Sequence, residues 1–452
     1  MNRTSSPLLA FVPRGPQPGD TDERAHIAAV VHRLEASQWR TPEEIAQLQF
    51  AALVGLAGHL ARHSPLFAEN LRTAGLKPAD LATPAGLAAL PTVSRRDFQR
   101  PQADVFCASV PAAHGRIGEA ASSGSTGEPV VVRRTEYNHL LFQAMTIRLH
   151  LWHGLGAGLR YCASRASLPE VIATDTWAGP PGQFWPTGAM LQIPNNVPIS
   201  RQAELIANFA PDILLIYPSN IIAIAQHLET RGTRPFRPRQ IRTTSETLSS
   251  HDRATIKATW QCPVVDLYSS TETGYVALQC PDSDLYHVMW ETHLVEILRE
   301  DGTPCKDREI GRIVITDLNN FATPMVRYAI GDYAEAGPLC PCGRGMQTLR
   351  RIVGRERNLI LMPDGSRHWP LTGRSRYREV APVLQYQMIQ HDREGIEVRL
   401  VVDRPLSDNE EQQLKKIMLA ALGHPFQLNF VYFEDRLPTG QNGKLEEFLC
   451  LL

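Results

Sequence analysis

Between Ala121 and about Thr316 the chain alternates short β-rich runs with helical ones, and the β-rich runs end in polar residues. "DILLIYPS" reads as a buried strand closing in a turn, and "NIIAIAQHLETRG" as a helix stopped by glycine. "RQIRTTSE" and "CPVVDLYSS" read as strands that each deliver polar side chains at their carboxyl ends. This alternation predicts an α/β fold built on a layered sheet. In such sheets ligands sit beyond the carboxyl ends of the strands. Ser245-Glu246 and Tyr268-Ser269 stand at two of those ends.

The chain has 452 residues, too many for one compact core, so two or three domains are expected. Apolar residues make up 43% and charged residues 21%, the balance of an ordinary soluble protein. A net charge of -1 gives no support for a nucleic-acid or membrane partner. The opening stretch "MNRTSSPLLAFVPRGPQPGD" lacks the apolar core of a signal peptide. No window reaches the ~18 uninterrupted apolar residues that span a bilayer. The eight cysteines are scattered rather than packed into a small secreted frame. A cytoplasmic protein with reduced thiols is expected.

Changes of pattern mark the domains. Residues 22–75 read as helical, with Thr41-Pro42-Glu43-Glu44 combining an N-cap, a first-turn proline and a capping-box glutamate. Residues 287–350 read as antiparallel hairpins, turning around Asp301-Gly302 and again at Gly311. After "RRIVGRERN" comes a small α+β unit. It holds a hairpin about Asp364-Gly365, two strands around Arg393-Glu394-Gly395, the capped helix "LSDNEEQQLKKIMLAALG" and the strand "FQLNFVYFE". The predicted division is a large domain over 1–353, a hinge at 354–358 and a small domain over 359–452.

One loop is unusually rich in glycine and hydroxyl groups. "SSGSTGEPV" (122–130) sets Ser122, Ser123, Gly124, Ser125, Thr126 and Gly127 ahead of the apolar Val130-Val131-Val132. Glycine lets a ligand approach the main chain closely, and successive backbone N–H groups beside hydroxyls can wrap an anion. An ordinary polar hairpin turn is the other reading. The loop is followed in order by YSSTETG (268–274), YAIGD (328–332), GRERN (354–358) and PTGQNGK (438–444). Together these stretches resemble the adenylate-forming superfamily of acyl-CoA synthetases, and within it the short phenylacetate–CoA ligase branch. "LPTVSRRDF" (90–98) resembles that branch's entry segment, so the resemblance runs from roughly Leu90 to Lys444.

The resemblance implies a large adenylation domain, a mobile C-terminal lid and a two-step reaction. A small, aromatic carboxylic acid attacks the α-phosphate of ATP, giving an acyl-adenylate and pyrophosphate, and a thiol then displaces AMP. Coenzyme A is the expected acceptor. The phosphopantetheine arm of an acyl carrier protein, or another nucleophile, is the alternative. A degenerate nucleotide-binding protein without catalysis is the alternative of another class.

By the same resemblance, residues 122–127 would hold the β- and γ-phosphates and Glu272 would place Mg2+. Tyr268, Ser269 and Thr271 would lie against the nucleotide, with Ser245-Glu246 beside it. Asp332 would accept both ribose hydroxyls. Arg355 would contact the nucleotide near the hinge, and Lys444 would touch the carboxylate and the α-phosphate in the first step. Each also has a plainer reading: Asp332 as a turn residue, Glu272 as a helix N-terminal charge, Lys444 as a solvated tail charge.

The chain departs from the branch in places. Glu128 stands where the loop usually has lysine, and Ser269 where a glycine is usual. Arg357 and Asn358 occupy the acidic hinge positions, and Met362-Pro363-Asp364-Gly365 replaces another local pattern.

A second constellation joins Cys340 and Cys342 of "CPCGRG" to Cys280 and His287 upstream. Three sulfurs and one imidazole match the closed tetrahedral pattern of structural zinc, while buried thiols with a core histidine are the alternative. Trp177, Phe184 and Trp185 offer an aromatic wall for a planar acid, or a loop packed on the core. His150 and His153 read first as packed helix-end residues. No motif names the acid. The oligomeric state is open too, with a homodimer one expectation.

Overall fold

The computed structural model describes residues 8, 23–122, 129–166, 168–177, 179–434, 436–438 and 444–452. Ser123, Gly124, Ser125, Thr126, Gly127 and Glu128 lie outside the described residues. In chain order come α1 (Glu23–Ser37), α2 (Pro42–His63), α3 (Pro65–Ala74), β1 (Ile117–Ala121), β2 (Val131–Thr135) and α4 (Glu136–His153). Next are β3 (Tyr161–Arg165), β4 (Met190–Pro194), α5 (Ile199–Phe209), β5 (Ile213–Ile216), α6 (Pro218–Thr230), β6 (Gln240–Thr244) and α7 (Ser250–Trp260). Then follow β7 (Val264–Ser270), β8 (Gly274–Gln279), β9 (Tyr286–Val288), β10 (His293–Leu298), β11 (Ile310–Asp317), β12 (Tyr328–Ala336) and β13 (Thr348–Arg355). The chain ends with β14 (Val383–Gln390), β15 (Gly395–Val402), α8 (Asp408–Leu422), β16 (Gln427–Phe433) and β17 (Phe448–Cys450). The architecture is mixed α/β, as the alternation predicts. No described helix is long and apolar enough to cross a membrane.

One compact unit takes the described parts of Met1–Tyr161, Ala173–Leu191 and Val265–Val353. Its helical start is set by local chemistry. Thr41 Oγ1 accepts from Glu44 N at 3.2 Å while Glu44 Oε2 accepts from Thr41 N at 2.9 Å, a reciprocal cap worth about 1 kcal/mol. Ser64 then caps α3 through Phe67 N, with Pro65 opening that helix, so the helical stretch breaks there. Leu53, Leu56 and Leu60 of α2 pack with Leu294, Leu318 and Val326.

Within this unit the strands run in the order β10-β11-β12-β13-β9-β8-β7. The β10–β11 and β11–β12 pairs are antiparallel, as the hairpin reading expects. Gly311 is not a turn residue, however; it lies inside β11. A Cβ there would meet Leu298 O and Cys305 Sγ, both at 2.5 Å, so this glycine admits a close neighbour rather than a bend.

The other unit takes Cys162–Ile172, Gln192–Val264 and Gly354–Leu452. Here β5 and β6 pair in parallel, β5 is buried throughout, and α6 follows with Pro218 in its first turn. A 4-stranded sheet, β16-β15-β14-β17, forms from the later residues. Leu414, Met418 and Leu422 of α8 share a core with Met388, Val398 and Leu400. Ser407 caps α8, and Gly423 ends it in the left-handed conformation.

Candidate active site

In the first unit the carboxyl end of β7 is shaped by a bulge between Tyr268 and Ser269. The chain then turns, with Thr273 N donating to Ser270 Oγ at 3.0 Å, and enters β8 at Gly274 with φ +82°. Glu272 is buried in this turn and Thr271 is exposed. Tyr268 Oη donates to Asp332 Oδ2 at 2.8 Å. Asp332 is itself buried, and follows Gly331 at φ +85°. These two site residues, 64 positions apart, therefore meet directly.

Ser122 closes the base of the glycine-rich loop. Its N donates to Val130 O at 2.8 Å, and its Oγ accepts from Val130 N at 2.9 Å and from Arg95 Nη2 at 3.3 Å. Arg95 belongs to "LPTVSRRDF", so that segment reaches the loop base as well.

Beside the Glu272 turn lies a small cavity, lined among others by Arg134, Phe142, Thr273, Tyr275, His293 and Asp317. Phe142 and Tyr275 stack in parallel, 4.9 Å between centroids. His293 has both ring nitrogens engaged, Nδ1 with Thr292 Oγ1 at 2.8 Å and Nε2 with Thr273 O at 3.1 Å. Burial pushes its pKa down to about 3, so it stays neutral. Burial pushes Asp317 up to about 6, opposed by Asn319 N at 3.0 Å and by the charge of Arg134. Arg134 and Asp317 lie outside every motif of the sequence named above. The available signal was a charge at the end of each apolar run, "VVVRR" and "IVITD".

Trp177, Phe184 and Trp185 are buried elsewhere in this unit. Trp177 Nε1 donates to Leu159 O at 2.8 Å, and the Trp177 ring lies 5.3 Å from His150 at the end of α4. None of the three lines the cavity beside Glu272. His150 holds Leu155 O through Nδ1 at 2.7 Å, a helix-end role.

Cys280, His287, Cys340 and Cys342 bring three sulfurs and one imidazole nitrogen within 4.8 Å of one another. Cys340 and Cys280 sulfurs are 3.7 Å apart, and Cys342 Sγ lies 3.4 Å from His287 Nε2. The Cys342 thiol is held far below its ordinary value, first by the hydrogen bond from Cys280, whose own thiol is raised in turn. A thiolate is the form that binds metal, and the donor set fits a closed tetrahedral zinc site. The same turn anchors the N-terminal helices. Arg344 Nε donates to Gln38 Oε1 at 2.8 Å, and its guanidinium lies over Trp39 and Trp152, 4.8 and 4.6 Å from their centroids. A Cβ on Gly345 would sit 2.0 Å from Arg40 O.

In the second unit Ser245 directly follows β6, at φ +73° and exposed. Glu246 accepts from Ser219 N and Ser219 Oγ, each at 2.9 Å, and from Leu445 N at 2.9 Å. Burial pushes its carboxyl up, against those hydrogen bonds and the charge of Lys444. The structure thus brings Lys444 to Glu246. Arg355 N donates to Asn358 Oδ1 at 2.8 Å. Arg357 and Asn358 both hold Glu446, through Arg357 Nε at 2.7 Å and Asn358 Nδ2 at 2.9 Å. The departures at 357 and 358 therefore share one carboxylate partner.

The fold is that of the acyl-CoA ligases that work through an acyl-adenylate. The crystal structure of 2-hydroxyisobutyryl-CoA ligase in the postadenylation state superposes with a TM-score of 0.71, covering 91% of this chain and 90% of that one at 15% identity. In sequence the chain is similar to phenylacetate–coenzyme A ligases. That of Aromatoleum evansii is 26% identical over 342 residues, 73% of this chain and 74% of the relative. That of Escherichia coli K12 is 24% identical over 355 residues, 73% and 75% respectively. No family model matches the chain. The resemblance read from the ordered motifs stands on these similarities.

Proposed function

We propose that this chain is an ATP-dependent, AMP-forming ligase that adenylates a small carboxylic acid and passes the acyl group to the thiol of coenzyme A. The observation that carries this reading is the Tyr268–Asp332 hydrogen bond beside the buried Glu272, at the carboxyl end of a strand. A nucleotide needs there a flat surface, a carboxylate for its sugar and a ligand for its magnesium. In this reading Tyr268, Ser269 and Thr271 lie along the nucleotide. Asp332, oriented by the Tyr268 hydroxyl, accepts the ribose hydroxyls. Glu272 holds Mg2+, which neutralises charge growing on the pyrophosphate. Residues 122–127 wrap the outer phosphates, and Ser245, Glu246 and Arg355 complete the nucleotide contacts. Lys444 brings its ammonium to the carboxylate and the α-phosphate.

The acid's planar body rests on the aromatic wall of Trp177, Phe184 and Trp185, where the Trp177 and Trp185 rings lie 5.3 and 6.2 Å from His150. Cys280, His287, Cys340 and Cys342 hold a structural zinc whose coordination is complete, with no position left for catalysis. Residues 354–358 serve as the hinge on which residues 359–452 turn between the two steps.

The test is pyrophosphate release from ATP and Mg2+ across a panel of carboxylic acids, followed by product mass with coenzyme A and with a phosphopantetheinylated carrier. Acid-dependent release and an acyl-CoA product are expected. Failure to take up any adenine nucleotide would overturn the reading. An acyl-carrier product without acyl-CoA would move the acceptor alone.

A further inference from the structure

Lys444 is followed by a run of residues that are each gripped separately. Leu445 N donates to Glu246 Oε1 at 2.9 Å. Glu446 is held by Arg357 and Asn358. Glu447 accepts from the Tyr386 hydroxyl at 2.6 Å and from Arg374 Nη1. The grips on Glu446 and Glu447 come from residues after Gly354, so they travel with Lys444 wherever residues 359–452 turn. Only the grip on Leu445 comes from Gln192–Val264, the other large segment of this unit.

Arg374 adds a second tie to that segment. Its Nη1 donates to Asp252 Oδ2 at 3.0 Å, and its Nη2 lies 2.9 Å from Asp252 Oδ1. The same Nη1 reaches Glu447. Asp252 is fixed from its own side, because Ser249, the N-cap of α7, donates its hydroxyl to Asp252 Oδ2 at 2.7 Å. A planar guanidinium with five donors can serve two carboxylates at once, which a compact ammonium does less well. Exposure decides which ion pair between the two segments counts. The side chains of Arg374 and Asp252 are 22% and 7% exposed. Those of Arg378 and Glu229 are 51% and 66% exposed, and so open a pair is worth little. Arg436 also reaches Asn195 O and Asn220 Oδ1, but through neutral partners that do not touch the run after Lys444.

We propose that Arg374 is a positioning residue for adenylation: by joining Asp252 to Glu447 it seats the run after Lys444 on Glu246, and its pair with Asp252 parts before the thiol step. The role given to Lys444 rests on the adenylation reading, while the seating itself needs no substrate. Arg374 acts through Glu447 and touches neither nucleotide nor acid.

The experiment compares the full chain with Asp252→Asn, which keeps the side chain's shape and an acceptor for Ser249 but removes the charge. Hydrogen exchange without ligand reads the seating. The Leu445 amide should exchange about 10-fold faster, the effect of losing one hydrogen bond to a charged group, while the amides of β5 and β6 keep their rates. Pyrophosphate exchange with the most active acid of the panel reads the chemistry. Its kcat should fall about 10- to 100-fold, as misplacement of a reacting group does, with KM for ATP unchanged. Conversion of preformed acyl-adenylate and coenzyme A to thioester should keep its rate. Arg374→Lys should fall between the two and serves as the test should Asp252→Asn fail to fold. Glu229→Gln should match the parent chain throughout. Unchanged exchange at Leu445 in both Asp252→Asn and Arg374→Lys overturns the proposal. Equal slowing of both half-reactions does so too, since that is what a merely structural contact produces. A Leu445 amide released as expected, in a chain that turns over no acid, supports the seating and overturns its use in adenylation.

Discussion

Asp332 shows how packing gives a commonplace side chain a fixed direction. A carboxylate after a glycine turn is commonplace in a sequence, and only its place between two other motifs marked it out. In the fold it receives the Tyr268 hydroxyl and is buried, conditions that fix a carboxylate's direction before a ligand arrives. Arg134 and Asp317 were not legible in the same way. Each sits where an apolar run meets a turn, which is also how an ordinary solvated residue looks; their burial comes from β2, α4 and β11 meeting in space. Lys444 permits a sharp test at this scale. Glu246 is held by Leu445 N, a backbone group that Lys444→Ala leaves in place. The variant should keep its melting temperature and lose about 10²- to 10³-fold in pyrophosphate exchange, the usual cost of one lost transition-state contact. Near-normal exchange in that variant would remove the assignment of this lysine.

At the scale of elements, features that need no distant partner are legible in the sequence. The capping boxes at Thr41 and Ser407 formed because a hydroxyl and a carboxylate three residues apart need no distant partner. Gly311 misled because the approach of Leu298 and Cys305 belongs to the neighbouring chain segment, not to the glycine's own surroundings. The cysteine cluster lies between these cases. Its ligand types were visible in the text, while the spacing from Cys280 to Cys342 closes only when β9 and β13 pair. The purified chain should carry about one zinc per molecule. Cys342→Ser, or a strong chelator, should remove it and lower the melting temperature, with turnover of the still-folded protein little changed. Metal analysis finding no zinc in protein purified without chelator would end that assignment.

For the whole molecule, periodicity reveals contiguous blocks, whereas the compact units here interleave three chain segments each. A linear reading has no signal for such interleaving, since each local pattern is satisfied whichever unit its element joins. Nucleotide binding supplies a test that needs no knowledge of the acid. At ATP and Mg2+ concentrations about 100 times the Kd, mass action adds ~2.7 kcal/mol to the native state, which should raise the melting temperature by several degrees. An unchanged melting curve at saturating ATP and Mg2+ would contradict a nucleotide site in the native fold. The Arg344–Gln38 contact has a further consequence for how the molecule is made. Its partners are separated by 306 residues, so at ordinary rates of translation α1 and α2 leave the ribosome about 15 to 60 s before the turn that anchors them. During that interval the side of α2 that packs on Leu294, Leu318 and Val326 lacks its native cover, while Leu81, Leu87 and Leu90 already shield the rest, and the nascent polypeptide must hold this part-covered state until the lock can close.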